Sequence, residues 1–169
     1  MPDPSSPPPP RYRSKAVATW LAVLGGALGA DRFYLHGWRD RLGWLYWPPT
    51  LLGLVGVQRM RAFGQDDRVA WALIPLLGLA LSAAMLGAIM HGLTPDAAWS
   101  RRHNPRLPAR SSGWLPVLGA VTALAIGATV LIGTIAFSVQ RFFEWQQPPP
   151  VAATATVPAR DAQLPPRTA

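Results

Sequence analysis

Two long segments of the chain contain no charged residue, and they constrain the fold more than any other feature. Residues 69–93 and 114–139 run for 25 and 26 residues without Asp, Glu, Lys or Arg. A helix needs roughly 20 apolar residues to cross about 30 Å of hydrocarbon. A helix that is apolar on every side cannot be hidden in a small soluble core. We therefore expect both segments to be transmembrane helices.

Two shorter apolar runs, 16–30 and 42–57, precede the long ones. At about 1.5 Å per residue each run reaches only some 23 Å, but flanking aromatic and basic side chains lengthen the usable segment. We expect a hairpin of two short spans over residues 14–57, and a re-entrant pair is the alternative. The predicted fold is an all-α integral membrane protein with four transmembrane helices, the first two forming a short-loop helical hairpin.

Composition agrees with a membrane protein and excludes several other classes. Half of the residues are hydrophobic, 14% are charged, and the net charge is +8. The basic residues flank the apolar runs, so we expect the lipid bilayer as the partner and no nucleic acid. The chain has no cysteine, which excludes disulfides and thiol nucleophiles.

The segments between and outside the runs are polar or rich in proline. We expect a basic loop over 58–68 and an Arg-rich loop over 94–113. Residues 1–13 are rich in Pro and residues 140–169 are rich in Pro and Ala, which predicts two disordered tails. Cleavage of the first run as a signal peptide is an alternative to its being a span.

The orientation in the membrane is not decided by the basic residues. With four spans, seven basic residues lie near the spans on each side, which leaves the positive-inside rule without a majority. We choose an internal N-terminus because the first segment usually dominates. The predicted location is a multi-pass protein of a prokaryotic plasma (inner) membrane.

Small residues four apart indicate where helices pack closely. Gly25 and Gly29 have this spacing, and Gly119, Ala123 and Gly127 repeat it over two turns of the fourth run. In lipid, such residues let helix backbones approach each other. We expect packing within the chain, with a homo-oligomer as the alternative.

The sequence predicts no catalytic, cofactor or metal site. The candidate groups would be Asp31, His36 and Asp40 between the first two runs, with His91 and His103 elsewhere. Their spacing matches no metal or hydrolase motif. The only ionisable group inside a run is His91, near its end, which argues against an ion-coupled transporter.

The first hairpin resembles a known family. Residues 14–44 read SKAVATWLAVLGGALGADRFYLHGWRDRLGW, which is similar to the TM-two domain family, whose members have two transmembrane helices joined by a short DRF-type loop. The matching positions are Lys15, Gly29, Ala30, Asp31, Arg32, Phe33, Tyr34, Leu35, Gly37 and Gly43. In two respects the chain departs from the family pattern: His36 stands where a glycine follows the leucine, and Pro48-Pro49 stands near a position that is polar or acidic in many members.

The resemblance implies an integral membrane protein without a defined biochemical activity. It also implies that the loop motif, Asp31 to Leu35 with Gly37 and Gly43, has an interaction or anchoring role. We expect a non-enzymatic interaction or scaffold component that uses this loop to bind a membrane protein partner. A motif that only anchors and turns the hairpin is one alternative, and a small transport or permeability component is the other.

Overall fold

The computed structural model describes residues 12–108 and 110–146, and all regular elements in these ranges are helical. The all-α class is thereby confirmed, whereas the proline-rich segments 1–11 and 147–169 lie outside the described residues. The elements in chain order are α1 (Lys15–Gly25), a 3₁₀ turn (Gly26–Leu28), α2 (Ala30–His36), α3 (Arg41–Trp44), α4 (Trp47–Phe63), α5 (Arg68–Leu93), α6 (Asp96–His103) and α7 (Leu115–Gln146).

The two long helices, α5 and α7, pack against each other in opposite directions along their whole shared length. Gly92 of α5 lies beside Pro116 at the start of α7, and Gly127 lies beside Met85 at mid-length. With 26 and 32 residues, α5 and α7 are about 39 and 48 Å long at 1.5 Å per residue. Within the described ranges, these are the two helices long and apolar enough to cross a membrane.

Helices α1 and α4 lie end to end along α5, and each of them is shorter than α5. Gly26 at the end of α1 packs on Ala84, whereas Gly53 in α4 packs on Leu77. The Thr50 hydroxyl donates to the Ala27 carbonyl over 2.6 Å, which joins the start of α4 to the end of the α1 segment. Thus α1 covers the C-terminal half of α5 and α4 covers its N-terminal half.

Between α1 and α4 the chain turns back on itself at Gly29. This glycine has φ +72°, ψ 23°, and a Cβ there would lie 2.5 Å from the Gly43 carbonyl oxygen. Only glycine combines left-handed backbone with such a close approach at low cost. After the turn, α2 runs back alongside α1, so that the Tyr34 hydroxyl reaches the Ser14 backbone.

The bundle has two distinct polar ends, which we name the α6 end and the Asp67 end. At the α6 end, Lys15 meets Thr94 and Asp96. At the Asp67 end, Asp67 caps α5 through the Val69 N–H and forms a 2.8 Å ion pair with Arg59. Residues 12–15 therefore lie at one end of the bundle, and the C-terminal turns of α7 lie at the other.

Several predicted boundaries differ from the structure. The predicted first helix, 16–30, stops at Gly25, and the predicted second helix, 42–57, is divided into α3 and α4. Helix α4 continues to Phe63, so the predicted loop 58–68 shortens to residues 64–67, and the predicted loop 94–113 contains α6. Helix α7 extends to Gln146, so residues 140–146 of the predicted C-terminal tail are helical.

Candidate functional site

The predicted loop motif forms the short helix α2. Gly29 starts this helix in the left-handed region, and Gly37 ends it with φ +82°. Seven residues between two such glycines make two turns, so successive side chains of the motif point in different directions. The motif is therefore divided between inward and outward positions.

Asp31 points inward and contacts α5. Its Oδ2 lies 3.1 Å from His91 Nε2, and both side chains are largely buried. Gly87, one turn before His91, faces the same carboxylate, since a Cβ there would be in van der Waals contact with Asp31 Oδ2 at 4.0 Å. An ionised carboxylate can only accept hydrogen bonds, so the imidazole donates from Nε2. His91, an isolated histidine in the sequence, thus holds the first residue of the motif.

Arg32 is engaged by Asp40, the residue that caps α3. Arg32 Nε donates to Asp40 Oδ2 over 3.2 Å, and the other oxygen of Asp40 accepts the Leu42 N–H at 3.1 Å. His36 Nδ1 lies 3.8 Å from the same carboxylate. One carboxylate therefore fixes the start of α3 against α2 and leaves the terminal amino groups of Arg32 available.

Phe33 lies at the centre of an aromatic cluster that we define as Phe33, Trp38, Trp44 and Trp47. The Phe33 ring stacks on Trp38 at 5.1 Å and meets Trp44 edge-on at 5.3 Å. Gly43 makes room for the ring, because a Cβ there would lie 2.7 Å from it. Trp38 remains 71% exposed. The cluster forms an apolar face on the outside of the hairpin, where amphipathic indole rings suit a membrane interface.

Tyr34 and Leu35 join the hairpin to the start of the described chain and to α6. The Tyr34 hydroxyl accepts the Ser14 N–H at 3.0 Å, and Leu35 is buried with Ala18 and Trp99. Both motif residues are therefore engaged by contacts within the chain.

Helix α6 holds residues 12–15 by their backbone. Trp99 Nε1 donates to the Arg13 carbonyl over 2.9 Å, and the Asn104 side chain donates to that carbonyl and accepts the Arg13 N–H. Lys15 adds an ion pair of 2.6 Å with Asp96. The hydrogen bond from Lys15, followed by one from the Ser112 backbone, holds the pKa of Asp96 below its usual value.

A polar chamber of about 270 Å³ lies between α2, α5 and α6. All three histidines of the chain line it, together with Asp31, Arg32 and Arg102. Burial lowers the pKa of His103, and the positive charge of Arg102 acts in the same direction. Within the described ranges, no group of three or more His, Asp or Glu side chains has the geometry to hold a metal ion.

The predicted packing residues all lie at contacts within the chain. Gly25 faces Ala30 inside the hairpin, Gly119 faces Thr19 of α1, and Gly127 faces Met85 of α5. Ala123 is fully buried in a cluster with Ala22, Ala84 and Ala88, and Gly29 faces Gly43.

Other functional residues were not identified from the sequence. Asn104, Trp99 and Asp96 hold the N-terminal segment from about 80 to 90 positions away, and Gly53, Gly56, Gly78 and Gly92 also form close helix contacts. The glycines could have been found from the sequence, because small residues are typical of close helix contacts in lipid. The contacts of α6 have no such local signal.

The fold and these contacts define an all-α membrane protein in which a turned-back hairpin packs against two long apolar helices. Residues 11–60 match the family model described as the TM2 domain. The chain therefore contains a TM2 domain, and the resemblance seen in residues 14–57 is confirmed. A search of curated proteins and a search of solved structures found no match to the chain.

Proposed function

We propose that this protein is a non-enzymatic, multi-pass membrane component that binds a membrane-embedded partner through the aromatic face of its TM2 hairpin. The observation that supports this role is the division of the motif. Asp31, Tyr34 and Leu35 are engaged within the chain, whereas the aromatic cluster around Phe33 remains on the outside. Trp38 and Trp44 are 71% and 46% exposed and carry the accessible part of this face. The binding surface is therefore aromatic rather than charged.

In this proposal the chain crosses the membrane three times. The serial arrangement of α1 and α4 makes one crossing, and α5 and α7 make the other two. Helix α2 and the residues around Trp38 return to the α6 end without a crossing of their own, so this arrangement differs both from a hairpin of two spans and from a re-entrant pair. Three crossings put residues 12–15 and residue 146 on opposite sides, whereas four spans would put them on the same side.

The three-crossing arrangement also changes the count of basic residues. Nine described Arg or Lys residues lie at the α6 end, and four lie at the Asp67 end. The nine are Arg13, Lys15, Arg32, Arg39, Arg41, Arg101, Arg102, Arg106 and Arg110. The positive-inside rule then favours a cytoplasmic α6 end, with the C-terminal turns of α7 on the outside of a prokaryotic plasma membrane.

Side-specific labelling of introduced cysteines tests the topology, because the chain has no cysteine of its own. Arg13→Cys, Arg106→Cys and Asp66→Cys place one thiol each at exposed positions. Three crossings predict that positions 13 and 106 react on one side and position 66 on the other. If position 13 reacts on the same side as position 66, our topology is wrong, and the first two runs form either two full spans or a re-entrant pair.

Photo-crosslinking from the aromatic face tests the partner. A photoreactive amino acid in place of Trp38, which is 71% exposed and does not line the groove along α4 and α5, should give a discrete protein adduct in cells, whereas one at Ile132, 67% exposed on α7, should give lipid adducts only. Lipid adducts alone from position 38 would leave the hairpin with the anchoring role. The transport alternative gains no support from the described helices, because residues 16–30, 47–58, 69–90 and 116–140 carry no Asp, Glu, Lys or Arg.

A further inference from the structure

Two neighbouring cavities at the α6 end share two lining residues, Arg32 and Tyr46. The first is the polar chamber between α2, α5 and α6. The second is an apolar groove of about 410 Å³ along α4 and α5, which we define by Leu45, Pro49, Leu76, Ala80 and Ala83. The polar and apolar cavities therefore meet at Arg32 and Tyr46.

The polar chamber has more hydrogen-bond donors than acceptors. Arg32 uses Nε for Asp40, and no acceptor among the described residues engages its terminal amino groups, whereas Arg102 adds a second guanidinium at the rim. The one carboxylate lining the chamber, Asp31, already has one oxygen on His91. A ligand rich in acceptor oxygens and negative in charge fits this lining.

The groove has the direction and depth of a lipid chain. Ala83 and Leu76 precede His91 by 8 and 15 residues on α5, so they lie about 12 and 22 Å from it along the helix at 1.5 Å per residue. The hydrocarbon core of one leaflet is about 15 Å deep, half of a bilayer core of about 30 Å. An acyl chain that starts at Arg32 and follows the groove thus ends near the membrane centre.

We propose that the chamber and the groove together bind one anionic phospholipid. Its phosphate lies between Arg32 and Arg102, and one acyl chain lies along Leu76 and Ala83. The proposal depends on insertion of the protein into a membrane, as proposed above, but not on the partner that the aromatic face binds.

The test of the headgroup uses purified full-length protein in detergent with added phospholipid, and bound lipid is counted by native mass spectrometry. One phosphatidylglycerol should be retained in preference to phosphatidylcholine. Arg102→Gln should weaken its retention about tenfold, the loss of roughly one charge-assisted hydrogen bond. Arg101→Gln, the matched control, removes the same charge from the neighbouring position of α6, which does not line the chamber, and should change retention less than about twofold.

The test of the acyl chain uses a matched pair of tryptophan substitutions. Leu76→Trp fills the proposed groove, whereas Leu86→Trp faces a different groove between α5 and α7. Only Leu76→Trp should reduce phosphatidylglycerol retention, and millimolar inorganic phosphate should not displace the lipid. If Arg102→Gln does not yield folded protein, Arg102→Lys replaces it with a smaller expected loss.

Three results would overturn the proposal. Equal retention of phosphatidylglycerol and phosphatidylcholine would remove the selectivity for a headgroup with a net negative charge. Equal effects of the two arginine variants would show a general charge effect. Displacement by inorganic phosphate, with no effect of Leu76→Trp, would assign the chamber to free phosphate. None of these results depends on the photo-crosslinking from position 38, so failure of the lipid site is distinguishable from failure of the partner role.

Discussion

The contact between Asp31 and His91 is the sharpest test of how the TM2 motif is used in this chain. The carboxylate and imidazole are 3.1 Å apart, with 12% and 23% of their side chains exposed. Asp31→Asn keeps the shape of the side chain and one acceptor oxygen but removes the negative charge. The substitution therefore converts a charge-assisted hydrogen bond into a neutral one.

The expected cost follows from these two kinds of hydrogen bond. A bond to a charged group contributes about 1.5–3 kcal/mol and a neutral one about 1 kcal/mol, and cheaper burial of the amide offsets part of the difference. We expect a net loss of about 1 kcal/mol in the free energy of unfolding, or roughly 2–4 °C in the unfolding midpoint for a chain of this size. Asp66→Asn is the matched control, because Asp66 is exposed in the short connection before α5, and it should leave the midpoint within about 1 °C.

A double-mutant cycle separates this contact from other effects of the substitution. Asp31→Asn, His91→Gln and the double variant are compared by thermal unfolding in one detergent, followed by tryptophan fluorescence. Residues in direct contact should give a coupling energy of at least about 0.5 kcal/mol. A coupling near zero, together with equal midpoints for Asp31→Asn and Asp66→Asn, would show that Asp31 is not held by α5. Asp31 would then be available for recognition, and the division of the motif argued above would fail.

Two further predictions concern the contacts that hold the hairpin and α4 on the long helices. Lys15→Met should lower stability by about 1–3 kcal/mol at neutral pH, less than for a fully buried pair because Asp96 is one-third exposed. Lys15 lowers the pKa of Asp96 below 3.8 in the folded protein. The ion pair therefore contributes its full stability above pH 3.8, and this stability is lost as the pH falls through the lower folded pKa. Thermal unfolding measured from pH 7 to 3 should show this loss of stability in the wild type and a smaller loss in the variant. Gly53→Ala should destabilise the protein by about 1–3 kcal/mol, because the added Cβ would lie 2.6 Å from the Leu77 backbone nitrogen. Gly133→Ala is the matched control, and it should be neutral or slightly stabilising because the space around Gly133 is open. Equal unfolding midpoints for the two variants would show that α4 does not pack on α5 at Gly53.

The long helices could be predicted from the sequence because their signal is compositional. A run of 25 or 26 uncharged residues has few alternatives to a membrane-spanning helix, and α5 begins and ends within one residue of the predicted range. The small residues Gly119, Ala123 and Gly127 also give a compositional signal, since close helix packing in lipid needs them. For both features the information lies within one segment of the chain.

The division of the first two runs could not be predicted in the same way. Residues 16–30 are continuously apolar, yet the backbone leaves the α-helix at Gly26 and turns at Gly29. The sequence contains a partial signal in its three glycines, but hydropathy does not distinguish a glycine that packs from one that turns. What decides the turn is the approach of Gly43 to Gly29, a contact between residues 14 positions apart.

The residues that contact the motif and the N-terminal segment could not be predicted for a similar reason. His91 and Asp31 are 60 positions apart, and Arg13 and Asn104 are 91 positions apart. Each residue alone has an ordinary explanation at a membrane interface, so neither suggests the other. Only the reversal of the chain at Gly29, which brings α2 back to the C-terminal end of α5, makes these pairs geometrically possible.

This arrangement makes the TM2 segment dependent on the rest of the chain. Inside residues 11–60, Lys15 and Asp31 are ionisable groups that face the bundle, and their partners Asp96 and His91 lie outside that segment. Removing one partner of a largely buried pair leaves the other charge uncompensated, which is costlier than never having had the pair. The hairpin and helices α5 and α6 therefore stabilise one another. The aromatic cluster around Phe33 is the part of the motif that is not needed for contacts with α5 and α6. For that reason we place partner binding there.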